Sequence, residues 1–127
     1  MRHAVSTDSA PAALGPYSQA IIANGFVFCS GTAGIDPATG SVAEGIEAQA
    51  EQALRNLDAI LAAAGASLAT LVQTTIFYQN VDDFAAINAV YARYMPEPPP
   101  ARSAPANVNL PRGLLISIDA IAVLPAT

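Results

Sequence analysis

Residues 46–65, IEAQAEQALRNLDAILAAAG, decide the fold class. Within them Ile46, Ala50, Ala53, Leu54, Leu57, Ile60, Leu61 and Ala64 recur at helical spacing, with Glu47, Glu51, Arg55 and Asp58 set between them. The spacing predicts an amphipathic helix with one apolar stripe. Gly65 follows where a left-handed residue commonly closes a helix. The stripe needs a partner surface, and the flanking sequence supplies strands. Upstream, Tyr17 to Ala23 and Phe26 to Ser30 are apolar runs separated by Asn24-Gly25, the strongest short hairpin signal in the chain. The turn-rich stretch from Gly31 to Gly40 leads to Ser41-Val42, where a short strand can return. Downstream, Leu71 to Gln79 is rich in Thr, Val, Ile, Phe and Tyr and reads as a strand. Asn80 to Asp83 then offers a turn and an N-cap for a second helix, which carries Phe84, Ile87, Val90, Tyr91 and Tyr94 inward.

That helix must stop before Pro96. Pro98-Pro99-Pro100 should hold a polyproline conformation, so the chain approaches Arg102 with little freedom. Arg102 to Leu110 reads as an edge or bulged strand, because Pro105 within it cannot donate to a ladder. Pro111-Arg112-Gly113 turns the chain into the last strand, Leu114 to Leu124. Strands, helix, strand, helix, strands is the order of an α+β fold: a mixed six-stranded sheet with both helices packed on one face. No repeat, low-complexity tract or linker interrupts it, so residues 1–127 are expected to form a single domain. The sheet's second face still has to be hidden in a chain that is 53% hydrophobic, and self-association is the natural solution.

Composition narrows the function. Ten acidic residues against five basic ones give a net charge of −5, which repels phosphate backbones and anionic lipid, so neither nucleic acid nor membrane is expected as a partner. No apolar run approaches a membrane span, and the N-terminus lacks a hydrophobic targeting core, which points to the cytoplasm. The lone Cys29 has no partner for an internal disulfide, in keeping with a reducing compartment. All five basic residues are arginines, so a lysine Schiff base is excluded. The single histidine, His3, is expected in a mobile tail. With one His and one Cys there is no ligand set for a structural zinc, and no metal is expected.

Several separated motifs share one register: residues 10–20, APAALGPYSQA; Ser30-Gly31; Asn88 in the second helix; Pro100-Ala101-Arg102-Ser103; and Asp119-Ala120-Ile121-Ala122. Together, over nearly the whole chain, they resemble the Rid/YjgF family, the 2-iminobutanoate/2-iminopropanoate deaminases. The resemblance implies a chorismate mutase-like (RidA-like) α+β fold and a homotrimer with three clefts between subunits. It also implies hydrolysis of reactive enamine or imine carboxylic acids to 2-oxo acids and ammonia, without metal or organic cofactor. Arg102 matches the arginine that grips the substrate carboxylate. A guanidinium suits that task, because its planar fork of donors pairs bidentately with a carboxylate and stays charged at any working pH. Tyr17, Ser30, Gly31 and Asn88 match pocket positions that bind the substrate.

The chain departs from the family pattern at three places. Ser117 stands where the deaminases typically place a glutamate that orients the attacking water; a serine holds water by hydrogen bonds but is no carboxylate base. Asp119 keeps an acid on the same strand face, about 6.5 Å further along. Ala104 replaces a frequent cysteine but retains the backbone carbonyl used there, and Thr32 replaces a frequent glutamine. The catalytic set implied is thus Arg102, Tyr17, Ser117 and the Ala104 carbonyl. Two alternatives stand beside the deaminase: a specialised relative acting on another enamine or unsaturated carboxylate, and a non-catalytic trimer that binds small carboxylates. RNA cleavage fits poorly with an acidic surface and a single histidine.

Overall fold

A computed structural model describes residues 1–126. Six strands and two helices follow in the order β1 (Arg2–Val5), β2 (Ala20–Ala23), β3 (Phe26–Ala33), α1 (Gly45–Ala63), β4 (Leu71–Tyr78), α2 (Phe84–Tyr94), β5 (Ala101–Ser103) and β6 (Ile116–Val123). One sheet holds all six strands in the order β1-β2-β3-β6-β4-β5. Every neighbouring pair is antiparallel except β4 and β5, which run parallel, so the sheet is mixed.

Helix α1 forms where its stripe predicts. Ala50, Ala53, Leu54, Leu57, Ile60 and Leu61 are buried, and they pack on β3, β6 and α2. Its end is a Schellman closure: Gly65 sits at φ +88, its N–H donates to Ala62 O at 3.0 Å, and Ala66 N–H reaches back to Leu61 O at 2.8 Å, which satisfies two of the helix's last carbonyls. The hairpin β2–β3 turns on Asn24 and Gly25 at φ 53 and 81, both left-handed as a two-residue primed turn requires.

In β6 residues alternate strictly between buried and half-buried. Ile116, Ile118, Ala120 and Ala122 face the helices, and Ser117, Asp119, Ile121 and Val123 face away. The outer face carries Phe26 and Phe28, the latter 42% exposed, with their ring centroids 6.1 Å apart. Among the described residues no helix is long and apolar enough to cross a membrane.

Five expectations change. The segment containing His3 is a strand: β1 pairs along β2 with His3 opposite Ile22, because the unsatisfied backbone edge of β2 accepts a strand whatever its side chains. Ser41-Val42 contributes only an isolated bridge between Val42 and Ile35, so the count of six is reached with β1 in its place. The strand expected from Tyr17 begins at Ala20, leaving Tyr17 in the preceding turn. The segment from Arg102 to Leu110 joins the ladder only at Ala101–Ser103, as an edge strand; beyond it Pro105 has no N–H to give and instead accepts from Tyr78 N–H through its carbonyl, at 3.3 Å. In α2, Ile87, Val90 and Tyr91 are buried as expected, whereas Phe84 lies exposed and Tyr94 half-buried at the ends of the helix.

Leu57 is fully buried at the centre of the α1 stripe. Leu57→Ala is expected to lower the unfolding free energy by about 2–5 kcal/mol, read from the urea midpoint at unchanged slope.

Candidate active site

Arg102 occupies the edge strand β5, opposite Thr74 of β4 in a parallel register, so its side chain lies on the helix side of the sheet, over α2. Its guanidinium carbon stands 5.1 Å from the Tyr91 ring centroid and 5.6 Å from that of Phe84, within range of cation–π attraction. Nη1 donates to Asn88 Oδ1 at 2.7 Å. Tyr91 is fixed in turn by a 2.6 Å hydroxyl bond to buried Thr74. Burial raises the pKa of the Tyr91 phenol, against the opposing pull of the Thr74 bond and the Arg102 charge, so the ring stays neutral under its cation. Among the described residues no carboxylate pairs with Arg102; the two ion pairs join Glu51 to Arg55 and to Arg93. The result is an exposed guanidinium, oriented from three sides, with most of its donors uncommitted to protein. Asn88 acts here by holding Arg102.

A second assembly lies at the far end of β3 and β6. A cavity of about 570 Å³ is lined by residues that include Tyr17, Ser30, Gly31, Thr32, Arg112 and Ser117. Tyr17 is 53% exposed, and its hydroxyl accepts a long 3.4 Å contact from Leu14 N–H, which leaves its proton for a ligand. Ser30 is different: its Oγ donates to Ser18 O at 2.6 Å, so toward a ligand it is an acceptor. Thr32 is buried and donates to Ser30 O at 2.9 Å. Gly31 is required for space, since a Cβ there would stand 2.8 Å from Ser117 Oγ. Gln19, Asp36 and Arg112 also line the cavity, and none was singled out from the sequence. Arg112 sits in the left-handed region at φ 61 and donates to Gly40 O at 3.1 Å, a long-range bond between two lining residues that no local pattern announces.

The site residues expected together therefore fall into two groups. Arg102 is level with Thr74 and, through it, with Ala120 of β6, three positions from Ser117. That places Arg102 about 10 Å along and, with β4 between, about 10 Å across from Ser117, by ordinary strand spacings. The two also face opposite sides of the sheet. Arg102, Asn88 and Ala104 are absent from the cavity lining, and Ala104 is half-buried against the core. Within one chain, no small carboxylate reaches both groups.

A family model described as endoribonuclease L-PSP matches residues 7–124. The chain belongs to this family, the Rid/YjgF proteins. Among curated members, the chain is 49% identical over 124 residues to the chloroplastic Reactive Intermediate Deaminase A of Arabidopsis thaliana, covering 97% of this chain and 66% of that protein. It is 43% identical to the 2-iminobutanoate/2-iminopropanoate deaminase of Salmonella typhimurium, covering 97% and 98%. Among solved structures, E. coli TdcF with bound serine superposes with a TM-score of 0.91 at 35% identity, covering 97% of this chain and 99% of that one. The six-stranded Rid/YjgF fold of this chain is thus the fold of its relatives.

Cys29 is 7% exposed, on the helix side of β3. Burial, with a smaller contribution from the Asp119 charge, pushes its thiol up to about 12. The neutral form is favoured in the folded chain, so Cys29 should resist iodoacetamide at pH 8 and react fully in denaturant, as followed by mass spectrometry. The linked stability is intact below the thiol's ordinary pKa near 9 and declines as pH rises from there toward about 12.

Proposed function

We propose that the chain is a cytoplasmic homotrimeric enzyme that hydrolyses the imine and enamine forms of small 2-amino-acid-derived carboxylates to 2-oxo acids and ammonia. The guanidinium of Arg102, oriented by Asn88, Tyr91 and Phe84, carries this reading. A cation held between two rings and an amide, with no carboxylate partner among the described residues, suits a carboxylate that arrives from outside. The separation of the two groups supports assembly in clefts between subunits: in this reading the Arg102 cluster of one copy meets the cavity of another, and the apolar outer face bearing Phe26 and Phe28 supplies the contact. The names of the Salmonella and mammalian relatives support the same reaction.

In this reading Arg102 binds the carboxylate, Tyr17 donates its phenol proton to the substrate, and Ser30 and the Gly31 backbone line the imine end. Ser30, whose proton is committed to Ser18 O, accepts from the imine N–H. Water held by Ser117 Oγ and the Ala104 carbonyl adds to the imine carbon, forming the C–O bond while the C=N pair moves to nitrogen and takes up a proton. The carbinolamine then collapses: the hydroxyl proton passes to the nitrogen, the oxygen lone pair forms the C=O bond, and the C–N bond breaks to release ammonia. No metal or organic cofactor enters this scheme. A substrate this labile needs positioning and charge stabilisation more than a strong base.

Ser117 favours a second reading. Without the carboxylate, the cavity suits either a different enamine or unsaturated carboxylate, or simple binding of a small acid. RNA cleavage has less to draw on, since the net charge is −5 and the one histidine lies on β1, away from both groups.

The decisive measurement couples an amino-acid dehydratase to the protein and follows decay of 2-iminobutanoate. Acceleration over buffer is expected, and its absence at saturating protein would sink the deaminase reading. Arg102→Ala should lower kcat/KM by about a hundredfold or more, the loss of a charge-assisted pair. Ser117→Glu should raise kcat with little change in KM, whereas activity appearing only in that variant would leave the natural chain a binder.

A further inference from the structure

Three side-chain carboxamides are buried in the described chain: Gln19, Gln49 and Asn56. Each ties down backbone that walls the cavity or leads into it. Gln19 accepts from Thr7 N–H at 2.7 Å and donates to Pro11 O at 2.8 Å, holding the segment ahead of Tyr17. Asn56, 1% exposed, donates both its Nδ2 protons, to Ala33 O at 2.9 Å and to Ile35 O at 2.8 Å. Its Oδ1 accepts from Gln52 Nε2 at 2.8 Å. Gln49 Oε1 accepts from Leu115 N–H at 2.9 Å, two residues before Ser117.

Asn56 and Gln49 project from the same face of α1 and grip opposite walls. Ala33 and Ile35 belong to the β3 side of the cavity, and Ser117 belongs to the β6 side. Between the two gripped carbonyls, Gly34 lies so close to the helix that a Cβ there would stand 2.4 Å from Gln49 O, so this wall rests on helix backbone and cannot retreat. The residue types are specific. Asn56 is a double donor facing two carbonyl oxygens, which neither aspartate nor leucine can imitate. Gln49 works only as an acceptor, which glutamate can supply in either protonation state.

We propose that Asn56 and Gln49 are positioning residues that set the separation of the β3 wall from Ser117, and so decide how large a substrate side chain the cavity admits. The proposal rests on the reading that this cavity takes the non-carboxylate end of the substrate. Neither residue touches substrate; both act through the backbone they hold. A wall displaced by a fraction of an ångström changes a bulky substrate's fit far more than a small one's.

The experiment compares kcat/KM for 2-iminopropanoate and for the imine of leucine, both generated in situ by an amino-acid oxidase, in the wild-type protein, Asn56→Asp, Asn56→Ala, Gln49→Leu and Gln49→Glu, with the melting temperature of each. Asn56→Asp, Asn56→Ala and Gln49→Leu should shift the ratio of the two rates by about tenfold or more. Gln49→Glu should keep it within about twofold of wild type. A purely structural role predicts lower melting temperatures with an unchanged ratio, and that result, in any variant folded at the assay temperature, overturns the proposal. Should Asn56→Ala fail to fold, the Gln49 pair decides. Should the wild type hydrolyse neither imine, the deaminase reading falls, and the same criterion applies to the affinities of 2-oxopropanoate and 4-methyl-2-oxopentanoate measured by calorimetry.

Discussion

Leu54, Leu57 and Leu61 of α1 are withdrawn entirely from water against β3 and β6, and the remaining structure is arranged around that contact. The two central strands come from opposite ends of the chain. They meet as an antiparallel pair, and the apolar stripe of a single helix covers their seam. The helix does more than cover it. Because Gln49 and Asn56 lie beside the leucines, the same surface that expels water also satisfies backbone groups at the cavity, where the β3–β6 register shifts between Cys29 and Thr32. Packing and polar satisfaction are thereby locked to one helix orientation, and a rotation that improved one would break the other.

Much of this fold was legible because its strongest elements are local. The α1 stripe, its closing glycine, the Asn24-Gly25 hairpin and the alternation of β6 are all patterns within about twenty residues. What escaped was decided by partners distant in sequence. Nothing in Arg2-His3-Ala4-Val5 marks a strand; the free edge of β2 makes it one. Conversely, Ser41-Val42 has strand-like chemistry but meets only Ile35, and the residues after Ser103 lose their ladder at a proline.

The candidate site shows the same division. Arg102 and Asn88 were both readable as polar residues in register with a known pattern, but their 2.7 Å bond, which makes one the holder of the other, depends on β5 lying parallel to β4 beside α2. The hydroxyls of Tyr17 and Ser30 look equivalent in sequence. In the fold one keeps its proton and the other gives it to Ser18, which assigns them opposite polarity toward a ligand. The separation of Arg102 from Ser117 could not be read at all, since neither strand order nor facing is written in any local stretch.

The prolines around β5 have a bearing beyond the arginine they deliver. An edge strand ordinarily exposes a row of unpaired N–H and C=O groups onto which another chain can graft itself. Here the edge is three residues long, preceded by Pro98-Pro99-Pro100 and followed by Pro105, so it has almost no ladder to extend. Uncontrolled growth of the sheet by backbone pairing is denied on that side. Any contact between copies on that side would have to be made by side chains of a face, where shape and stoichiometry can be specified, and not by an open backbone edge.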